Sequence, residues 1–244
     1  MLEICCGSFE DALTAWEAGA KRVELNSALH LGGLTPSAAC LDLVKKKTGL
    51  QVICMVRPRG AGFCYTSSQK EQMFAEAEEL LDHGSDGLAF GFLGPEGEID
   101  QAATEQMTKL IHRYQKTAVF HRAFDCVKDP DAAAQQLIAL NVDRILTSGL
   151  EDKAWDGIPV ISRLQQQYGK QIEILAGSGI NASNAREIME KTGISQVHSS
   201  CRAWREDPTT RGERVSYSFG PAPWEMAYDM VSKDLVRKMV ELGL

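Results

Sequence analysis

The sequence predicts an α/β protein, a single (β/α)8 TIM-type barrel spanning residues 1–244. Three observations predict it. Short apolar runs alternate with helical patterns along the whole chain, which implies a parallel sheet. Eight such units, each of about 30 residues, match a closed barrel, with an open doubly wound sheet as the competing fold. Several runs end abruptly in polar or glycine-rich clusters, and parallel-sheet proteins place their sites at the carboxyl ends of strands.

The elements follow in order. Residues 2–6 (LEICC) form the first strand, and Ser8 caps a helix that runs to Ala18. Residues 22–26 (RVELN) are the second strand; a Gly-rich loop ending Thr35-Pro36 leads to a helix reaching Lys47. Strand three is 51–56 and closes on Arg57-Pro58-Arg59-Gly60, with a helix over 70–83. Strand four is 87–92, followed by a helix over 101–114. The stretch TAVFHRAFD (117–125) carries strand five into His121, Arg122 and Asp125. A helix over 129–140 takes Pro130 in its first turn. Strand six (143–147), a helix (157–168), strand seven (172–175), a helix (181–191) and strand eight (196–200) complete the alternation. A less regular aromatic segment, 203–225, precedes a final helix over 226–242.

Composition excludes several classes. The chain has 44% hydrophobic and 24% charged residues and a net charge of −7. A nucleic-acid binder would show a basic patch, whereas Lys45–Lys47 is the only basic run and reads as a solvated helix end. No apolar stretch approaches a membrane span, and the start, MLEI, lacks a signal-peptide layout, so a cytoplasmic protein is expected. Seven cysteines without a C-x-x-C pair point to buried thiols rather than a disulfide framework or a zinc ribbon.

The strand ends predict one site. Side chains alternate across a strand, so Glu3 shares a face with Cys5, and Glu24 with Asn26. Two carboxylates inside apolar runs demand compensation, for which Arg57 or Arg122 are candidates. The expected cup consists of Glu24, Arg57, His121, Arg122, Asp125 and His198 around a small anionic ligand. Strand seven ends AGSG. Gly177, Ser178 and Gly179, with His198 on the next strand, suit an anion held at the start of a helix capped by Asn181. A tight structural turn is the plainer reading of that loop.

These stretches together resemble the CutC family, named for copper homeostasis. The resemblance rests on ELNSALHLGGLTPS (24–37), MVRPRGAGFCY (55–65), DGLAFG (86–91), FHRAFD (120–125), ILTSG (145–149) and the GSGI and HSSCR segments. It covers most of the chain and is weakest over 203–225. It implies a TIM-type barrel, a cytoplasmic location and an association with Cu(I). Copper-competent relatives pair a first-strand cysteine with one at the end of the second strand; here those positions are Cys5 and Asn26, an amide. Cu(I) prefers thiolate ligands, which makes Cys5 the expected ligand, with Cys201, Met55 and Cys54 as substitutes for the second. Cys6 points to the opposite face.

Two functions remain open, the first implied by the resemblance and the second read from the residues. One is copper homeostasis with Cu(I) on Cys5. The other is an isomerase, epimerase or lyase acting on a small anionic or phosphorylated substrate. There His121 or Glu24 moves a proton, Arg57 and Arg122 neutralise charge, and Asp125 orients His121 or Arg122. A divalent ion on Glu3 and Glu24 is a further variant. Trp204, Tyr217, Phe219 and Trp224 leave three roles for 203–225: covering the barrel mouth, covering the floor or wall, or joining subunits of a homo-oligomer.

Overall fold

The computed structural model describes residues 1–243. Eight parallel strands close into a barrel in sequential order: β1 (Leu2–Cys6), β2 (Arg22–Leu25), β3 (Gln51–Met55), β4 (Gly87–Phe90), β5 (Thr117–Phe120), β6 (Arg144–Thr147), β7 (Glu173–Ala176) and β8 (Gln196–Ser199). The ring closes where Leu2, Glu3 and Ile4 pair with Val197, His198 and Ser199. Seven helices follow the first seven strands: α1 (Phe9–Glu17), α2 (Ala38–Lys47), α3 (Ser67–Asp82), α4 (Gln101–Arg113), α5 (Pro130–Ala139), α6 (Ile158–Tyr168) and α7 (Ala185–Thr192). The alternation read from the sequence is therefore the fold.

Strand parity divides the core. Ile4, Cys6, Val23, Leu25, Val52 and Cys54 join the layer between barrel and helices. Ile53, Met55, Ala89, Val119, Leu146 and Leu175 form a separate apolar cluster inside the barrel. That cluster comes from β3 to β7. The remaining interior positions, on β1, β2, β6 and β8, hold Glu3, Cys5, Arg22, Glu24, Arg144, Gln196 and His198, so half of the barrel interior is polar.

Helix starts follow capping chemistry. Ser8 accepts the Asp11 N–H, and Asp129 accepts from Asp131 and Ala132 ahead of Pro130. Thr66 and Gln69 form a capping box, so α3 starts three residues before the expected 70. Asn181 does not cap α7: its Oδ1 accepts from Ser183, and α7 begins at Ala185, behind an intervening turn.

The largest departure lies at the carboxyl end. The helix expected over 226–242 shortens to α8 (Lys233–Val240), and residues ahead of it form β10 (Ala227–Val231). This strand pairs antiparallel with β9 (Arg202–Glu206), which sits at the start of the aromatic segment. The stretch AYDMV alternates like a strand, and Ser232 supplies the cap for α8 by accepting the Leu235 N–H. The buried Asp11 carboxylate accepts the N–H groups of Gly7 and Val231 at 3.0 and 2.7 Å, which locks β10 to the β1–α1 connection.

Candidate functional site

A cavity of about 430 Å³ opens at the carboxyl ends of the strands. Cys5, Glu24, Asn26, Met55, Arg57, His121, Arg122, Ser178, Gly179 and His198 line it. The residues expected in the cup and in the anion-binding loop are thus brought together from strands far apart in sequence, with two exceptions. Asp125 and Gly177 are not among the lining residues. Gly177 instead lets the β7 end pass Leu146 and His198, since a Cβ there would lie 2.8 Å from Leu146 Cδ1.

Beneath the cavity lies a buried charge layer. Glu3 is 2% exposed and pairs with Arg22 Nε at 2.7 Å, His198 Nδ1 at 2.9 Å and, more distantly, Arg144 Nη1 at 3.9 Å. Arg144 also pairs with Glu173 at 2.6 Å, and Arg22 donates to Gln196 at 2.7 Å. The compensation expected from Arg57 or Arg122 therefore comes from Arg22 and Arg144. The reason is register. Arg22 lies opposite Glu3 in the β1–β2 ladder, and Arg144 opens β6 on the same inward parity. Arg57 lies two residues beyond β3, where its guanidinium donates to the carbonyls of Leu31, Gly33 and Ala61. Burial alone would push the Glu3 carboxyl up. The hydrogen bond from His198 and the charges of Arg22, His198 and Arg144 outweigh it and hold the group below the usual carboxylate range.

Above Glu3 the site gathers one thiol, one carboxylate and one imidazole. A ligating atom from each of Cys5, Glu24 and His198 lies within 4.8 Å of the others. Glu24 Oε2 is 3.8 Å from Cys5 Sγ and 4.0 Å from His198 Nε2, and it accepts from Asn26 Nδ2 at 2.9 Å. Burial alone would lower His198, but the Cys5 thiol and the Glu24 and Glu3 carboxylates raise it well above its ordinary value. These neighbours favour its protonated form. Burial pushes the Cys5 thiol up, helped by Glu24 and Glu3, and His198 offsets this only in part. Burial likewise raises Glu24, against the pull of His198 and Asn26.

His121 stands across the cavity, 3% exposed. Its Nδ1 accepts the Ala123 N–H at 3.1 Å, so the neutral ring carries its proton on Nε2, which has no partner among the described residues. Burial and the Arg57 charge lower it to about 3. Gly91 makes room for the ring: a Cβ there would lie 2.6 Å from His121 Cε1. Asp125 orients Arg122, at 2.7 Å from Nε, and has no hydrogen bond to His121. Its carboxylate also accepts from Thr147, Ser148 and Leu150, tying the β5 end to the β6 loop.

Residues 1–203 match the model of the CutC family. The chain belongs to the CutC family. It is 44% identical over 241 residues to a CutC family protein of Treponema denticola, covering 98% of this chain and 97% of the relative. It is 39% identical over 206 residues to the human copper homeostasis protein cutC homolog, covering 84% and 75%. The crystal structure of the putative copper homeostasis protein CutC from Streptococcus agalactiae superposes with a TM-score of 0.77 at 31% identity, covering 82% of this chain and 98% of that one. The family match spans the barrel and stops in β9, so the β9–β10 hairpin and α8 lie largely beyond it. Among the described residues no helix is long and apolar enough to cross a membrane.

Sequence reasoning missed Arg22, Arg144, Lys153 and Arg202. The first two carried a signal, since Arg22 shares its strand face with Glu24 and Arg144 with Leu146. Lys153 and Arg202 line the cavity from connections whose path no periodicity reveals.

Proposed function

We propose that this CutC family member serves copper homeostasis by holding a copper ion between Cys5, Glu24 and His198. The observation that carries the reading is the convergence of these three donors within 4.8 Å in a buried pocket. The donor chemistry fits. Cys5 supplies a soft sulfur and His198 an imidazole, both suited to copper, and Glu24 adds a hard oxygen. Glu3 accepts from His198 Nδ1 and leaves Nε2 toward the pocket, the arrangement in which a carboxylate orients a ligating histidine. Asn26 donates to Glu24 and steadies its carboxylate rather than ligating. Cys54 and Cys201 are buried elsewhere, and Cys201 engages Ser199. The ion would be cargo bound in place of the Cys5 and His198 protons.

The test is an anaerobic Cu(I) competition titration of wild type, Cys5→Ser and His198→Gln. The expected result is one tight equivalent in wild type, weakened about tenfold or more in each variant, since each substitution removes a ligand. Weak binding that is equal in all three proteins would remove copper from this chain.

A second reading is favoured by His121. A buried, neutral N–H donor without a partner, facing a cavity that also holds Glu24, suits an isomerase, epimerase or lyase. The lowered imidazole would polarise a substrate carbonyl as a donor, while the raised Glu24 carboxyl would move the proton. Detection of turnover with a panel of small anionic carbonyl compounds, lost in Glu24→Gln, is its test.

A further inference from the structure

The donor cluster leaves most of the cavity and most of its charge unused. The chain carries a net charge of −7, yet the cavity is lined by four arginine and lysine side chains, Arg57, Arg122, Lys153 and Arg202, besides His198, and by one carboxylate, Glu24. Arg57 spends its hydrogen bonds on carbonyls, so no acid balances it. Arg122 is paired with Asp125, and Arg202 lies 3.7 Å from Asp229. Lys153 enters no ion pair among the described residues. A positive mouth on an acidic protein concentrates anions there.

The loops after β6 and β7 build this end of the cavity together. Ser178 Oγ donates to the Asp152 carbonyl at 2.6 Å, and the Ala154 N–H donates to the Ser178 carbonyl at 3.0 Å. Gly179 has φ +73°, and a Cβ there would lie 2.7 Å from Lys153 Cδ. The absent side chain lets the Lys153 methylenes cross the loop beside the cavity. Ser178 also holds a left-handed φ of 80°, which a non-glycine residue keeps only where its surroundings fix it. The N–H groups of Ser178 and Gly179 donate to no protein acceptor among the described residues.

We propose that the cavity binds a small organic phosphate, its phosphoryl group seated on Lys153, Arg202 and the Ser178 and Gly179 N–H groups, its carbon body directed toward Glu24 and His121. The proposal deepens the second reading of the same cavity by naming its substrate class. A phosphoryl group brings two charges and three acceptor oxygens, which matches two cationic side chains plus free backbone donors. Ser178, Gly179 and Arg202 follow strands seven and eight, where barrels of this type commonly hold phosphate, and Lys153 joins them from the connection after β6. The cavity volume falls in the range of small-molecule sites.

The test is isothermal titration with glycerol 3-phosphate, inorganic phosphate and glycerol, on wild type, Lys153→Met and Lys46→Met. Glycerol 3-phosphate should saturate at one site in wild type, inorganic phosphate should bind the same site more weakly, and glycerol should not bind. Lys153→Met should weaken glycerol 3-phosphate about tenfold or more, the effect of deleting one charge-assisted contact. Lys153 is exposed, so the variant should keep the wild-type circular dichroism spectrum. Lys46→Met, exposed on α2 and outside the cavity, should bind glycerol 3-phosphate as wild type does, and an equal loss in both lysine variants overturns the subsite. Absence of saturation, or equal affinity in wild type and Lys153→Met, overturns the subsite. Binding is read without turnover, so a failed search for a reaction sinks the enzymatic reading alone and leaves the subsite standing.

Discussion

The imidazole of His121 occupies a place that punishes its charge. It is buried beside Arg57, its Nδ1 accepts a backbone N–H, and its value falls to about 3. The lowered value means that the fold refuses a proton which the unfolded chain accepts near 6.5. Stability from the neutral ring is therefore complete above pH 6.5 and declines as the pH falls toward 3. By this linkage the loss reaches about 2 kcal/mol at pH 5. Urea unfolding of wild type and His121→Gln at pH 7.5 and pH 5 should show a steeper acid loss in wild type; parallel losses would contradict the assignment. The sequence marked His121 because it follows an apolar run, and its neutrality comes first from burial and then from Arg57, which arrives from the connection after β3. Asp125 shows the opposite case. Three residues from Arg122, it was legible as a partner of that side chain and does pair with it, while its bonds to the β6 loop were not legible.

At the scale of the element, β1, β2, β6 and β8 share a burden that no single strand reveals. Glu3, on β1, meets Arg22, Arg144 and His198 in one dry layer. Replacing Glu3 by Gln leaves the Arg22 and Arg144 guanidinium groups and His198 without their shared carboxylate. Breaking a buried pair by removing one partner costs about 3–5 kcal/mol. Glu3→Gln should therefore lower the urea midpoint strongly at unchanged slope, whereas a change below about 1 kcal/mol would show that the layer contributes little. The carboxyl-terminal elements teach a different lesson. Residues 226–231 carry both helical and alternating readings; their strand form is decided by β9 as a pairing partner and by Asp11, which accepts the Val231 N–H. The hairpin loop packs Trp204 against Trp224 and Phe219 against His30, beside the β2–α2 connection at the mouth.

For the whole molecule, charge is distributed against its own average. The protein as a whole repels anions, while the barrel mouth gathers cations from four separate connections. Fields of this kind act over about a Debye length, near 10 Å at 0.1 M salt. Affinity for glycerol 3-phosphate should therefore fall between 20 mM and 300 mM sodium chloride in wild type, by about tenfold or less for so few contacts, and fall less in Lys153→Met. A salt dependence equal in both proteins would show that Lys153 does not shape the field.

The sequence by itself determined the barrel. Eight alternations of period-two and period-3.6 patterning leave few topologies, and the carboxyl ends of the strands then mark where chemistry collects. Glu24, Arg57, His121, Arg122 and His198 were all legible as residues of one mouth, because the carboxyl end of each strand is local information. What only the tertiary structure decided is who faces whom. Glu3 takes Arg22 and Arg144 rather than Arg57, and Lys153 reaches the Gly179 loop, because partners contributed by different strands and connections are set by barrel closure and loop path. Those contacts join residues up to 195 positions apart, as in the His198–Glu3 hydrogen bond, and no local pattern encodes a distance that long.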